Sequence, residues 1–276
     1  MAPVPIISVQ SPQNARSPIR TVRRLSAVRA ISALALREMA TTYGRSPGGW
    51  LWAIVEPVAA VALLAFAFSL AFRAPPLGVN FALFYATGLL PYMLIHDVSQ
   101  KVAASVRFSK PLFSFGAVRF VDALIARFCL NLLTHCIVIM LVFTAILAML
   151  RTGAEPDPLG IAVALSMAAA LAAGFGAINC YLFTAFPAWE RMWAIATRPL
   201  FIISGVVFLF EDVPDRYQFA LSLNPLFHVT GAMRSSIYPT YEPNYVSAVF
   251  VFGIATALLC LGLMLLNQFH DDLVHK

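Results

Sequence analysis

The sequence predicts an all-α membrane protein. It should have six transmembrane helices, an amino-terminal amphipathic interfacial helix and a re-entrant outer hairpin between spans five and six. Three observations point there. Hydrophobic residues make up 60% of the 276 positions and charged residues only 12%, against roughly 25% charged in a soluble domain. Apolar runs of about 20 residues, the length that crosses a bilayer core, recur along the chain. Basic residues gather in alternate connecting segments.

Residues 1–18 contain Pro3, Pro5, Pro12 and Pro18 and no apolar core of signal-peptide length, so they are expected to be a disordered tail. In residues 19–45, Arg20, Arg23, Arg24, Arg29 and Arg37 alternate with Leu25, Val28, Ile31, Leu34, Leu36 and Met39. This pattern predicts a helix lying apolar side down on an anionic inner leaflet. The net charge of +6 does not indicate nucleic acid, because the arginines are interleaved with aliphatic residues rather than with stacking aromatics.

Residues 50–269 hold the transmembrane domain, with spans at 50–72, 81–99, 123–150, 159–186, 192–210 and 245–267. The fifth is interrupted by Arg198 and Pro199. Either the helix starts near Met192 with Arg198 snorkelling to water, or the segment is kinked. Six spans put both termini on one side. With that side cytoplasmic, fourteen Lys and Arg fall in inside segments and four in outside ones, the distribution of a multi-pass membrane protein with both termini cytoplasmic.

The outside links differ in design. Residues 73–80 and 151–158 are tight turns. Residues 211–244 are long and half apolar, with pieces at 217–223 and 225–237 too short to span. Such pieces form a re-entrant or interfacial hairpin shielded by protein or facing a water-filled cavity. Asn224 followed by Pro225 is a helix-start signal, and Pro225–Arg234 is expected to be buried partly within the membrane.

Catalytic chemistry is not written into the chain. No His-x-x-Glu-His pattern occurs, and the five histidines are scattered. Cys129, Cys136, Cys180 and Cys260 lack metal-ligand spacing and read as small buried hydrophobes. The glycine cluster from Gly44 to Gly49 lacks the lysine and hydroxyl of a phosphate loop, and its Pro47 removes a donor amide. The chain is therefore expected to bind no cofactor or metal and, if it works against a gradient, to draw energy from a partner or from ion coupling. Glu56 is the only acid well inside a span and Arg127 the only deep base. At 1.5 Å per residue both lie about 6–9 Å from the cytoplasmic end, so they are expected to form a buried ion pair facing the protein interior, the alternative being that each snorkels separately to the inner interface.

The lead-in to span one runs Arg37-Glu38-Met39-Ala40, then Tyr43-Gly44-Arg45-Ser46-Pro47-Gly48-Gly49-Trp50 and on to Glu56-Pro57. The second span opens Phe81-Ala82-Leu83-Phe84-Tyr85-Ala86-Thr87-Gly88. Ser204-Gly205, Asn224-Pro225-Leu226 and Arg234 follow in order. This pattern, over about Arg20 to Phe269, resembles the permease subunits of type-2 ABC exporters, especially those that export capsular polysaccharide. The loop after span two, Arg107-Phe108-Ser109-Lys110-Pro111-Leu112-Phe113, keeps the basic, aromatic and proline character of the family's element but not its spelling.

The resemblance implies a homodimer bound to two copies of a separate ABC ATPase that uses ATP and Mg. It implies that the amino-terminal amphipathic helix and, in the loop between spans two and three, Arg107, Phe108, Lys110, Pro111 and Arg119 contact that ATPase. It also implies that the hairpin with Asn224, Pro225, Leu226 and Arg234 lines or gates the exit for a glycan on a lipid anchor. The same scaffold would suit a drug or lipid permease. A membrane-bound glycosyl- or acyltransferase would need a polar catalytic loop with clustered acids or histidines. A scaffold protein without transport is the remaining class. A neighbouring gene for a small ATPase would separate these readings.

Overall fold

The computed structural model describes residues 19–42, 48–113, 119–150 and 153–269. Among them the chain is helical, with no strand. The helices are α1 (Ile19–Thr42), α2 (Gly49–Ala71), α3 (Phe81–Ala103), α4 (Ser105–Phe113), α5 (Phe120–Met149), α6 (Pro158–Ala185), α7 (Pro187–Ile203), α8 (Asp215–Ser222), α9 (Pro225–Ser235) and α10 (Ala248–Gln268). Residues 1–18, expected as a tail, lie outside the described residues, as do residues 43–47 between α1 and α2.

Five of the helices are long and apolar enough to cross a membrane: α2, α3 with its continuation α4, α5, α6 and α10. The sixth expected span, 192–210, is not one helix. The segment begins earlier, as α7 at Pro187, and helical backbone stops at Ile203. Its 17 residues extend only about 26 Å at 1.5 Å per residue, less than the ~30 Å hydrocarbon core.

The helices that start at one end of the bundle are capped by polar side chains. Asn80 accepts hydrogen bonds from the amides of Ala82 and Leu83, Asp157 from Leu159 and Gly160, and Ser247 from Phe250. Such caps satisfy amides that have no intrahelical partner.

The core is built on α6, which packs against α10 on one flank and α3 on the other, while α2 and α5 lie against α3. Small residues let α6 approach its neighbours. A Cβ on Gly262 of α10 would sit 2.5 Å from the Ile178 nitrogen, and one on Gly174 of α6 would sit 2.7 Å from the Ala255 carbonyl oxygen. Close backbone approach through small residues is how helices gain packing energy in lipid, where burial of apolar surface gives no driving force. The helix α3 is the most enclosed, with every residue from Leu83 to Tyr92 buried. By contrast α2 exposes Leu63, Phe66 and Leu70. Cys180 is buried, but Cys129 and Cys260 face outward, so the expectation of four buried cysteines does not hold. On a lipid-facing helix an outward thiol is as apolar as its surroundings.

Candidate functional site

The inner-loop segment expected to meet an ATPase folds as α4, an amphipathic helix of two and a half turns that continues α3 after a break at Ala104. Two contacts fix it. The Arg107 guanidinium donates two hydrogen bonds to the Glu190 carboxylate of α7, at 2.8 and 2.9 Å. This bidentate geometry is the strong form of an Arg–carboxylate pair. The hydrogen bond from Arg107 holds the Glu190 carboxyl below its ordinary pKa. Phe108 lies between two guanidinium groups, with Arg127 of α5 at 4.1 Å and Arg37 of α1 at 5.0 Å from its ring centroid. The inner-loop helix is thus tied to α1, α5 and α7. Lys110 is half-buried and Arg119 exposed. The side chain of Pro111 and residues 114–118 lie outside those described.

Beneath this clamp sits a buried ion pair, but not the expected one. Arg127 Nε donates to Glu38 Oε2 at 3.0 Å, and Arg127 Nη1 donates to the Lys101 carbonyl at 3.0 Å. Asn131 Nδ2 reaches Glu38 Oε1 at 3.4 Å. Side-chain exposure is 9% for Arg127 and 3% for Glu38, so the two charges are removed from solvent together. The expected partner, Glu56, is exposed and points elsewhere. The depth estimate placed Glu56 and Arg127 at one level but could not place them around the helix axes. Leu34 and Ile31 of α1 pack on Ala123 and Ala126 of α5, and this crossing brings Glu38 to Arg127 first. It also means that part of the apolar face of α1 rests on protein. Arg29 is exposed, and the side chains of Arg20, Arg23 and Arg24 lie outside those described.

Glu56 instead lines a polar cavity of about 410 Å³ between α2, α3 and α5, together with Trp52, Asp97, Lys101 and His135. His135 Nε2 lies 3.6 Å from Asp97 Oδ2.

At the other end, α9 begins at Pro225 with Asn224 as its cap, accepting from the Leu226 amide at 3.1 Å. Side chains on this helix collect the carbonyls of the chain that leaves α7. Asn224 donates to Ile203 at 3.0 Å, Thr230 to Ser204 at 2.9 Å, and Arg234 to Val206 and Phe208 at 3.1 and 3.0 Å. Gly205 takes φ +76°, the left-handed step that ends helices. The expected fifth span therefore stops at Ile203 because α9 supplies partners for the carbonyls that follow. Arg234 is fully buried and stacks at 4.3 Å over the ring of Phe84 in α3.

Residues 29–238 match the family model described as ABC-2 type transporter. The chain belongs to the ABC-2 type transporter family. Within it, the chain is 28% identical over 235 residues to the polysialic acid transport protein KpsM of Escherichia coli, covering 85% of this chain and 91% of that protein. It is 26% identical over 243 residues to the capsule polysaccharide export inner-membrane protein CtrC of Neisseria meningitidis serogroup B. It is 28% identical over 243 residues to the capsule polysaccharide export inner-membrane protein BexB of Haemophilus influenzae. Each of these last two alignments covers 87% of this chain and 91% of the relative. The family match takes in the α4 clamp, the Glu38–Arg127 pair and the whole of α9.

Glu38 and Glu190 escaped sequence reasoning. Glu38 carries a signal that could have found it. With Ile31 and Leu34 it lies at helical spacing on one face, and an acid on the apolar stripe of an amphipathic helix needs a basic partner. Glu190 carries none, since its partner lies 83 positions away.

Proposed function

We propose that this chain is the membrane-spanning permease subunit of an ATP-driven exporter that moves a capsular or related, lipid-linked polysaccharide from the cytoplasm across the inner membrane. The observation that carries this is membership of the ABC-2 family together with relatives, matched over most of their length, that are named for capsule polysaccharide export or polysialic acid transport. The energy comes from a separate ABC ATPase, which binds ATP and Mg. Two copies of the chain, each bound to one ATPase, enclose the path.

In this reading α4 is the docking element, with Arg107, Phe108, Lys110, Pro111 and Arg119 near the ATPase. Its ties to α1, α5 and α7 carry ATPase movement into the membrane. The helix α1 lies at the inner interface, with Arg20, Arg23, Arg24 and Arg29 toward lipid headgroups. The segment from α7 to residue 210 makes a short fifth crossing, and α8 and α9 form the re-entrant hairpin at the outer exit. Both termini are then cytoplasmic.

The test is deletion of the gene in its native host. Export predicts loss of surface glycan with accumulation of the polymer inside the cell, and co-purification of an ATPase with the tagged chain. Normal surface glycan in the deletion strain would overturn the reading.

A further inference from the structure

The cleft between α2 and α5 changes character along its length. At one end it is the polar cavity of about 410 Å³, lined by residues of α2 up to Pro57 and of α5 up to Val138. Directly beyond, from Val58 on α2 and Leu141 on α5, it becomes a groove of about 300 Å³ walled only by apolar residues, among them Val61, Ala62, Ala145 and Ile146. The polar and apolar stretches are consecutive on both helices. A charged pocket that opens into a hydrocarbon groove has the layout of an amphiphile. The cleft exists because α2 rests chiefly on α3 rather than on α5.

The charges in the polar part select among amphiphiles. Glu56 of α2 and Asp97 of α3 supply two carboxylates, the second beside His135 Nε2 at 3.6 Å, and Lys101 supplies one ammonium group. Among the described residues, the carboxylate of Glu56 and the ammonium of Lys101 enter no hydrogen bond or ion pair. Charges at membrane depth require partners or water, and both side chains are exposed at the cavity, with Lys101 acting on Asp97 only through space. A purely anionic headgroup would meet more carboxylate than cation. A neutral one would leave Glu56 and Lys101 as they are. A zwitterion with a terminal amine satisfies both: its ammonium answers Glu56 and Asp97, and its phosphate answers Lys101.

We propose that this cleft binds a zwitterionic aminophospholipid, with its head in the cavity lined by Glu56, Asp97 and Lys101 and an acyl chain in the groove between α2 and α5. The site is independent of the transported substrate and adds a lipid requirement to the transporter.

The test uses the full transporter in lipid nanodiscs of equal phosphatidylethanolamine and phosphatidylglycerol. Either lipid carries a photoactivatable acyl chain in parallel samples, and adducts are mapped by mass spectrometry. Phosphatidylethanolamine adducts are expected at residues 58–62 and 141–150. The double variant Glu56→Gln/Asp97→Asn should lower the ethanolamine-to-glycerol labelling ratio at these positions about tenfold, equal to about 1.4 kcal/mol. Labelling elsewhere on the same protein is the internal control for folding. Ala62→Trp should remove the groove adducts alone. Equal labelling by the two lipids, or a ratio unmoved in the double variant, would overturn the proposal. So would a disulfide between two copies through Val58→Cys with no lipid adduct, since that would make the occupant a second copy of the chain.

Discussion

At the scale of single residues, the Glu38–Arg127 pair dominates the α4 end of the bundle. Both groups are nearly inaccessible, so removing either leaves a buried charge without its counterpart. Glu38→Gln and Arg127→Gln are each expected to destabilise the chain by about 3–5 kcal/mol, with the double variant recovering part of the loss. Thermal unfolding in detergent reads this cycle. The matching cycle for Glu56 and Arg127 should be additive, because those side chains do not meet. Arg127→Lys should fail to rescue, since lysine cannot reproduce a fork that serves both Glu38 and the Lys101 carbonyl. The Arg107–Glu190 pair behaves differently. Its side chains are 41% and 46% exposed, so its loss should cost under about 1 kcal/mol of stability. Under the proposed function its loss should nevertheless uncouple ATP hydrolysis from export, and exchanging the two charges should restore coupling. Because pairing lowers the Glu190 pKa, this contribution is present above the unfolded carboxyl pKa. It is lost as pH falls through the depressed value.

At the scale of elements, two junctions depend on fit rather than on sequence composition. The first is α6 against α10. Gly262→Val would force its side chain into the backbone at Ile178. The expected loss is about 1–3 kcal/mol or more, read as reduced thermal stability with the secondary structure retained below the transition. The second is α9 against the chain that follows α7. Arg234→Met keeps the apolar stem but strands the Val206 and Phe208 carbonyls. A buried unpaired carbonyl costs about 1–3 kcal/mol. The local opening should appear as faster hydrogen exchange in residues 204–210, while α6 and α10 stay protected. The same junction explains why α7 is short: its continuation is held by side chains of α9 instead of by its own helical hydrogen bonds.

At the scale of the whole molecule, the apolar exterior is the defining feature. Leu63, Phe66 and Leu70 on α2 and Met192, Ile195 and Ile202 on α7 are exposed in the single chain. Lipid or a second copy must cover such surfaces, since neither face could remain in water. In the proposed topology α4 and α9 lie on opposite sides of the membrane. A cysteine at Glu242 should react with a membrane-impermeant thiol reagent from the outside of intact cells, and one at Arg119 only after the inner face is opened. These variants belong in a background lacking the outward-facing Cys129 and Cys260. Reaction of both from the same side would overturn the topology.

The sequence by itself determined the class of protein and the identity of most spans, because hydropathy over 20 residues and the shortage of charge are properties of composition. It also determined the start of α9, since Asn224 and Pro225 act through their own local backbone. Family resemblance was legible in ordered motifs from Arg37 to Arg234. Only the tertiary structure decided which charge meets which. Depth along a helix can be counted, but rotation about its axis depends on neighbours, so Arg127 found Glu38 of α1 and left Glu56 in a cavity. Only the tertiary structure ended α7 at Ile203, because the donors that terminate it stand 21 to 28 positions away on α9. The clamp on Phe108 likewise draws on α1 and α5 at once, and such contacts arise from three helices packing together, which no single stretch of sequence encodes.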